Sequence, residues 1–432
     1  MSLFLLFALM LTFMALGMSI AVAMIASSLI YLLLNASGPM SLPLAVIPQK
    51  LLYGVDSFPL LAIPLFMLAG ELMSAGGITN RIVRFGTALV GWITGGLAHV
   101  TIVVNMIMAG MSGSAVADAA ATGSVLIPAM IKARVPAAFA AAVTAAAATI
   151  GPIIPPSIPF VLIGTIAQVS IGRLFLGGAV PGVIMGLFLM AVSYWVAKRH
   201  GYAVEARAGL REILASFWPA IPALLMPLII MGGILSGITT PTEAAVLGVA
   251  YAMFLSVGVY RERSLRDVYR ICWKMGSSTA AIMLTISGAT LLGFVATAEQ
   301  MGPKLIQLFL SMSNNIHVLL FIINIALLIL GCLMEAGVLL ILLTPILVPL
   351  AKILGIDLVH FGLIMVLNLM IGVATPPVGM CLFVVSEANN IRLERLMREV
   401  IPWVLPLIVV LFLITYFPAL VLTVPNWLMP TR

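Results

Sequence analysis

Two of the apolar stretches in this chain are broken near their middles by the same pattern. Gly151-Pro-Ile-Ile-Pro155-Pro156 interrupts one, and Gly372-Val-Ala-Thr-Pro376-Pro377 interrupts another. Proline has no N–H to donate and its ring clashes with the preceding turn, so a helix must open at either place. The flanking residues are too apolar to sit in a solvated loop, and in a bilayer open backbone is tolerated only inside protein or against a polar cavity. The composition places these breaks in a membrane: 63% of the 432 residues are hydrophobic and 8% charged, against about 45–50% and 25% in soluble domains. So few charges cannot coat a soluble globule of this size. Carbonyls of Ala148, Thr149 and Ile150, and of Val373, Ala374 and Thr375, become available to a cation at such breaks, although a plain kink would need the same residues.

The apolar segments run over residues 3–16, 20–34, 58–75, 95–131, 137–168 and 180–197, then 217–234, 243–259, 277–298, 316–350, 358–387 and 401–424. Most approach the roughly 20 residues that a helical span requires. Segments 95–131 and 316–350 carry a polar centre, and each arm is short for a full crossing, so both read as re-entrant helical hairpins. Basic residues test that topology, because they gather on the cytoplasmic side. With the hairpins entering and leaving on one side, sixteen of the 21 Lys and Arg residues share one face, from Arg81 and Arg84 to Arg398. Only Lys50, Arg173, Lys304, Lys352 and Arg432 lie on the other. The expectation is an all-α polytopic membrane protein with about ten transmembrane crossings, two hairpins, and both termini outside the cell membrane's cytoplasmic face. The run 1–34 lacks a basic start and is too long for a cleavable signal.

The halves match in order. Asp118 stands ten residues before Pro128, and Glu335 ten before Pro345; the two G-x-x-x-P-P breaks follow, and Gly76 pairs with Gly302. Five crossings and a hairpin in each half invert the second relative to the first, a plan common among secondary transporters. Residues 1–197 form the first repeat, with hairpin 1 at 95–131 and a broken helix at 137–168. A cytoplasmic link covers 198–212. Residues 213–432 form the second repeat, with hairpin 2 at 316–350 and a broken helix at 358–387.

The tip of hairpin 1 reads Met111-Ser112-Gly113-Ser114, and that of hairpin 2 Gly331-Cys332-Leu-Met334-Glu335. Small and hydroxyl residues there expose backbone oxygens to a hard cation and helix N-termini to a substrate carboxylate. Close helix packing is the simpler use of such residues. Asp118 and Glu335 are carboxylates at membrane depth, which makes them functional candidates; they either cap the tips or tune cation sites. With the breaks beside the tips, Asn105, Ser114, Pro155, Pro156 and Pro377 border the expected substrate position. Thr239-Thr240-Pro241-Thr242-Glu243 is a helix start, 137–148 an alanine helix fit for close packing, and 261–270 a candidate interfacial helix.

Several chemistries lack their residues. There is no phosphate-binding G-x-x-x-x-G-K-[ST], and His99, His200, His317 and His360 are scattered without metal-ligand spacing. Cys272, Cys332 and Cys381 do not make a disulfide framework. No nucleophile–base pair is evident, so an enzyme is not expected. The net charge of +7 is dispersed in short loops, not clustered as nucleic-acid binding requires.

Phe58-Pro-Leu-Leu-Ala-Ile-Pro64-Leu-Phe-Met-Leu-Ala-Gly70, Gly113-Ser-Ala-Val-Ala-Asp118, Gly151-Pro-Ile-Ile-Pro-Pro156-Ser, Gly237-Ile-Thr-Thr-Pro-Thr-Glu-Ala and Thr375-Pro-Pro-Val-Gly379 together resemble one family. It is the large membrane subunit, DctM-like, of the tripartite ATP-independent periplasmic (TRAP) transporters, and the likeness covers essentially the whole chain. The resemblance implies sodium-coupled uptake of an organic acid anion, a C4-dicarboxylate, sialic acid or similar carboxylate, across the bacterial inner membrane by an elevator-type transporter. It implies a periplasmic binding protein that delivers the substrate and a small four-helix membrane subunit, here expected as a separate chain. No cofactor is implied beyond Na⁺ as coupling ion. Ser112, Gly113, Ser114 and Gly151 resemble one sodium site; Gly331, Met334, Thr375 and Pro376 resemble the other. A stand-alone ion-coupled carboxylate symporter of related fold is the alternative, and a structural subunit without transport of its own a third.

Overall fold

The computed structural model describes residues 3–35, 45–75, 77–202, 206–301 and 315–430, with 303, 304, 307, 311 and 313 between the last two. Gly76, Gly302 and Arg432 lie outside the described residues. Among the described residues all regular structure is helical, as the sequence predicts. The chain opens with α1 (Leu3–Ala15), α2 (Ile20–Leu34), α3 (Val46–Tyr53), α4 (Ala62–Ala75) and α5 (Ile78–Val90). Hairpin 1 is α6 (Gly96–Ser112) and α7 (Ala115–Lys132); the first broken helix is α8 (Ala137–Ala148) and α9 (Ile158–Ala167). α10 (Ile171–His200), α11 (Leu210–Leu235), α12 (Pro241–Met253) and α13 (Leu265–Ala298) follow. Hairpin 2 is α14 (Ile316–Leu333) and α15 (Ala336–Ile353); the second broken helix is α16 (Leu358–Val373) and α17 (Met380–Ala388). α18 (Leu393–Glu399), α19 (Ile401–Tyr416) and α20 (Ala419–Leu428) end the chain.

The contacts fall into two sets, joined where α6 packs on α5 and α4. In one, α4 lies along α12, α11 packs on α5 and α12, and α13 packs on α2, α3 and α4. In the other, each hairpin packs on its own broken helix: α6 and α7 on α8, and α14 and α15 on α16. The hairpins also reach across reciprocally. The second arm of hairpin 1, α7, packs on α17, and the second arm of hairpin 2, α15, packs on α9. Each half of the chain therefore supplies the same pair of parts, and each part meets the other half in the same way.

Local chemistry sets several of the boundaries. α12 begins in a capping box: Glu243 N–H donates to the Thr240 hydroxyl while the Thr240 N–H donates to Glu243 Oε2 at 2.7 Å, with Pro241 at the first position. That satisfies helix-end N–H groups that a bilayer would leave unpaired. The alanine helix α8 is buried from Phe139 through Ala148. Its side chains end at Cβ, so α6, α7 and α17 can all approach it closely.

The structure revises some segment boundaries. The loop expected before residue 58 contains α3, and the amphipathic α5 occupies 78–90, where no element was expected. The expected interfacial helix at 261–270 is instead the start of α13, which runs unbroken for 34 residues. No proline stops it, and at Gly276 there is open space around the helix. The link at 198–212 is helical at both ends, through His200 and from Leu210. The segment 401–424 divides at Phe417-Pro418 into α19 and α20. Among the described residues seven helices are long and apolar enough to cross a membrane, or nine if two bent helix pairs each count as one span. The hairpin arms have 17 or 18 residues, or about 26 Å of helix, against a hydrocarbon core of about 30 Å.

Candidate functional site

Each hairpin tip is pressed against the break of its own half. At tip 1, Gly113 takes the left-handed conformation (φ +61°) that ends α6, which glycine adopts without a Cβ penalty. A Cβ added there would lie 2.6 Å from the Pro156 carbonyl oxygen and 3.2 Å from the Ile158 nitrogen. The tip thus rests on the turn that holds the cis Pro155–Pro156 bond. At tip 2 the contact is backbone on backbone: a Cβ on Gly372 would come within 2.5 Å of the Gly331 carbonyl carbon. Val378 N–H also donates to the Cys332 carbonyl at 3.3 Å. The second diproline, Pro376–Pro377, is likewise cis.

The prolines free particular carbonyls. In a helix Gly151 would accept from residue 155 and Val373 from residue 377, and both of those positions are proline without an N–H. Ala148 and Ile150, expected to present free carbonyls, instead accept from Gly151 and Ile153 at 3.0 and 2.9 Å as the helix winds down through turns. Beside Gly151 stands Asp118. Its Oδ1 accepts from the Ser112 hydroxyl at 2.5 Å, while its Oδ2 is buried without a hydrogen-bond partner. A Cβ on Gly151 would overlap that Oδ2. The structure therefore gathers Ser112, Gly113, Ser114, Gly151 and Asp118 at one place, and Gly331 with the Gly372–Thr375 turn at another. A buried carboxylate oxygen without a donor, facing backbone, is a hard-oxygen set of the kind that alkali and alkaline-earth cations take.

Asp118 and Glu335 are not structural counterparts, although both stand ten residues before a proline. Ser114 caps α7, its hydroxyl accepting from Ala117 N–H at 3.4 Å, and Asp118 lies a turn inside the helix. Glu335 occupies the N-cap position of α15 but makes no side-chain capping bond. Glu335 therefore corresponds in place to Ser114, and neither carboxylate caps a helix.

Between the two tips is a cavity of about 440 Å³. The first turns of four helices line it: Ala115 of α7, Ile158 of α9, Ala336 of α15 and Met380 of α17. Its remaining wall comes from the other set, with Met67 of α4 and Ser278, Ala281 and Thr285 along one face of α13. Among the described residues no Lys, Arg or His lines it, and Glu335 is its one carboxylate. Of the residues expected at the substrate position, Ser114 does line the cavity. Asn105 is buried within hairpin 1, donating to the Thr101 carbonyl and to Thr122 at 2.8 and 3.3 Å. Pro155, Pro156 and Pro377 are not among the residues that line it, whereas Pro152 is. The α13 face escaped the sequence reading because Ser278, Ala281 and Thr285 look like ordinary small residues of a span. Their spacing of three and four is the available signal.

Residues 7–420 match the family described as the tripartite ATP-independent periplasmic transporter, DctM component. The chain belongs to the DctM family. The large permease protein SiaM of the sialic acid TRAP transporter of Vibrio cholerae is 43% identical over 410 residues, covering 95% of each chain. The C4-dicarboxylate TRAP transporter large permease protein DctM of Pseudomonas aeruginosa is 39% identical over 379 residues, covering 88% of this chain and 89% of that one. The isethionate TRAP transporter permease protein DctMQ of Oleidesulfovibrio alaskensis is 41% identical, covering 88% of this chain but only 60% of its own length. Among solved structures, the Alcanivorax borkumensis YdaH transporter shares the fold, with a TM-score of 0.58 at 13% identity over 87% of this chain and 88% of that one. The resemblance read from the motifs is thus borne out, and the chain is a multi-pass transporter permease of the DctM family.

Proposed function

We propose that this DctM-family chain carries an organic acid anion inward across the bacterial inner membrane, coupled to Na⁺. The observation that carries the reading is the convergence of four helix N-termini on a cavity with no basic side chain. Each N-terminus carries about half a positive charge, and the first-turn N–H groups left over by the Ser114 and Ser157 caps add donors, which together favour a carboxylate without burying a cationic side chain. The relatives named for sialic acid and C4-dicarboxylate transport make a carboxylate the natural substrate class. Na⁺ is the co-substrate. Ser112, Gly113, Ser114 and Gly151 would hold one ion with Asp118 beside it, and Gly331, Met334, Thr375 and Pro376 the other. Binding either ion would draw a tip onto its break, which shapes the anion cavity between them.

Residues 1–197 and 213–432 are read as inverted repeats, which puts both termini on the periplasmic side. The hairpins and broken helices form a unit that moves as an elevator against the scaffold around α4, α12 and α13. Substrate arrives on a periplasmic binding protein, and a small four-helix subunit completes the membrane part. The test is uptake by proteoliposomes holding this chain and the small subunit, with an inward Na⁺ gradient and a panel of carboxylates. Uptake that requires both Na⁺ and the binding protein supports the reading. Uptake with Na⁺ alone makes the chain a stand-alone symporter, and no carboxylate uptake under any condition overturns it.

A further inference from the structure

The seam that contains the substrate cavity continues beyond it. Past Ile341 of α15, which borders both spaces, a second cleft of about 460 Å³ opens. One side is α3 and the α13 face from Ile286 to Thr297; the other is the end of α9 with Ile341 and Pro345. Its chemistry is the reverse of the first cavity. Glu335 is the charged group there, whereas here the charged group is Lys50 and no carboxylate lines the walls. Asp56, near in sequence, is not part of the lining.

Lys50 is held in place. The Ser287 hydroxyl donates to the Leu51 carbonyl at 2.6 Å, and Gly54 lies so near Thr290 that a Cβ would meet Oγ1 at 2.6 Å, so α3 is fixed on α13. The Lys50 ammonium sits 4.9 Å from the Phe294 ring centroid, a contact that favours the charged head. Among the described residues it has no carboxylate partner. Tyr53 and Ser57 also line the cleft, and their hydroxyls make no hydrogen bond among the described residues. Along α13, the first cavity lies at 278–285, toward the arginine-rich start of the helix, and the cleft at 286–297, toward its other end. An anion arriving from the side opposite those arginines meets Lys50 first.

We propose that this cleft is a capture site for the carboxylate substrate, with Lys50 as its cation and Tyr53 and Ser57 as hydroxyl donors. The assignment rests on the anion-transport reading above. A single charge in a low-dielectric cleft concentrates an oppositely charged ligand and speeds its arrival. It does not need to discriminate among carboxylates, because selection follows at the helix N-termini.

The test combines kinetics with protection of an engineered thiol. In proteoliposomes with the small subunit and binding protein, Lys50→Gln should raise KM for the carboxylate about tenfold at nearly unchanged kcat. Lys50→Arg should restore it, and the dependence of KM on ionic strength should weaken in Lys50→Gln alone. Separately, Thr297→Cys is placed in a Cys272→Ser background and labelled with a maleimide in the absence of binding protein. Succinate or sialic acid should slow labelling when Lys50 is present and not when it is Gln. Equal protection in both, or none in either while the wild type still transports, overturns the capture site and leaves the transport reading standing. Failure of the wild type to take up any carboxylate overturns the transport reading itself.

Discussion

Replacing Gly372 by alanine tests whether closure of tip 2 on its break governs ion binding. The added Cβ would lie 2.5, 2.7 and 2.7 Å from the carbonyl carbon, Cα and oxygen of Gly331. All three are backbone atoms, so no side chain can swing away. Ordinary contact begins near 3.4 Å, so the tip must retreat by about 0.9 Å, and overpacking of this kind costs about 1–3 kcal/mol. If the retreat is needed only in the closed, ion-bound form, the half-saturating Na⁺ concentration should rise about 5- to 150-fold. The mirror substitution supplies the control. A Cβ on Gly331 meets nothing nearer than 3.3 Å, the closest being a Leu369 methyl, so Gly331→Ala should shift the Na⁺ dependence far less. The assay is initial carboxylate uptake against external Na⁺ in proteoliposomes, alongside thermal unfolding with and without Na⁺. Gly372→Ala should lose most of the stabilisation that Na⁺ confers, since an ion stabilises only the form it binds. A Gly372→Ala protein with wild-type Na⁺ dependence, or a Gly331→Ala protein more impaired than it, would refute the closure mechanism.

Other substitutions separate site from support. Asp118→Asn keeps an acceptor for the Ser112 hydroxyl but removes the charge, and should lower apparent Na⁺ affinity about tenfold with a nearly unchanged unfolding midpoint. A loss of stability without a Na⁺ shift would make the residue structural, and a change in neither would remove it from the site. Gly113→Ala meets both a left-handed backbone and the Pro156 carbonyl, so it should abolish uptake and cost at least about 1–2 kcal/mol of stability; wild-type uptake would show that tip 1 does not rest on its break. Thr240→Ala removes the capping box that starts α12. It should lower the unfolding midpoint by a few degrees while uptake per folded molecule stays unchanged, and an altered KM would show that α12 is more than scaffold.

The breaks and tips are legible because their chemistry is local. A proline that lacks its N–H, or a glycine in a run of apolar residues, states its consequence within a few positions. The helices observed over 96–132, 137–167, 316–353 and 358–388 accordingly break at or beside the glycines and prolines that mark them. The carboxylates were harder to place. Asp118 and Glu335 sit at equal distances from prolines, but Pro128 and Pro345 both lie inside their helices and fix no end. α7 starts just after the Gly113 turn and α15 just after Glu335, so one carboxylate falls inside a helix and the other at its start. Of the cavity only the tip residues, Ser114 among them, were legible. It is made by first turns from four helices and by small residues of α13 that meet only in three dimensions. The cleft with Lys50 depends on α3, whose eight residues contain a proline and no strong apolar period.

The arrangement of polar contacts bears on which parts can move. Within each hairpin and break the contacts are backbone to backbone or hydrogen bonded, as with Val378 on Cys332 and Ser112 on Asp118. Along the α13 face the hydroxyls turn back on their own helix instead: Ser278 donates to Lys274, Thr285 to Ala281, Thr290 to Ile286 and Thr297 to Gly293. Among the described residues no hydrogen bond or ion pair joins this face to the hairpins or broken helices. In an apolar medium a polar group that loses its partner is costly, because no water replaces it. A translation of the hairpin unit along α13 therefore breaks no polar contact on this face, whereas separating tip 2 from its break would lose the Val378–Cys332 bond. The same distribution explains why both cavities share α13. Its self-satisfied hydroxyls would leave one wall polar enough to host the proposed carboxylate at either level, and neutral enough not to hold it. On the proposed reading the affinity would reside in the four helix N-termini, and Lys50, on the helix that Ser287 ties to α13, would act only where the anion first arrives.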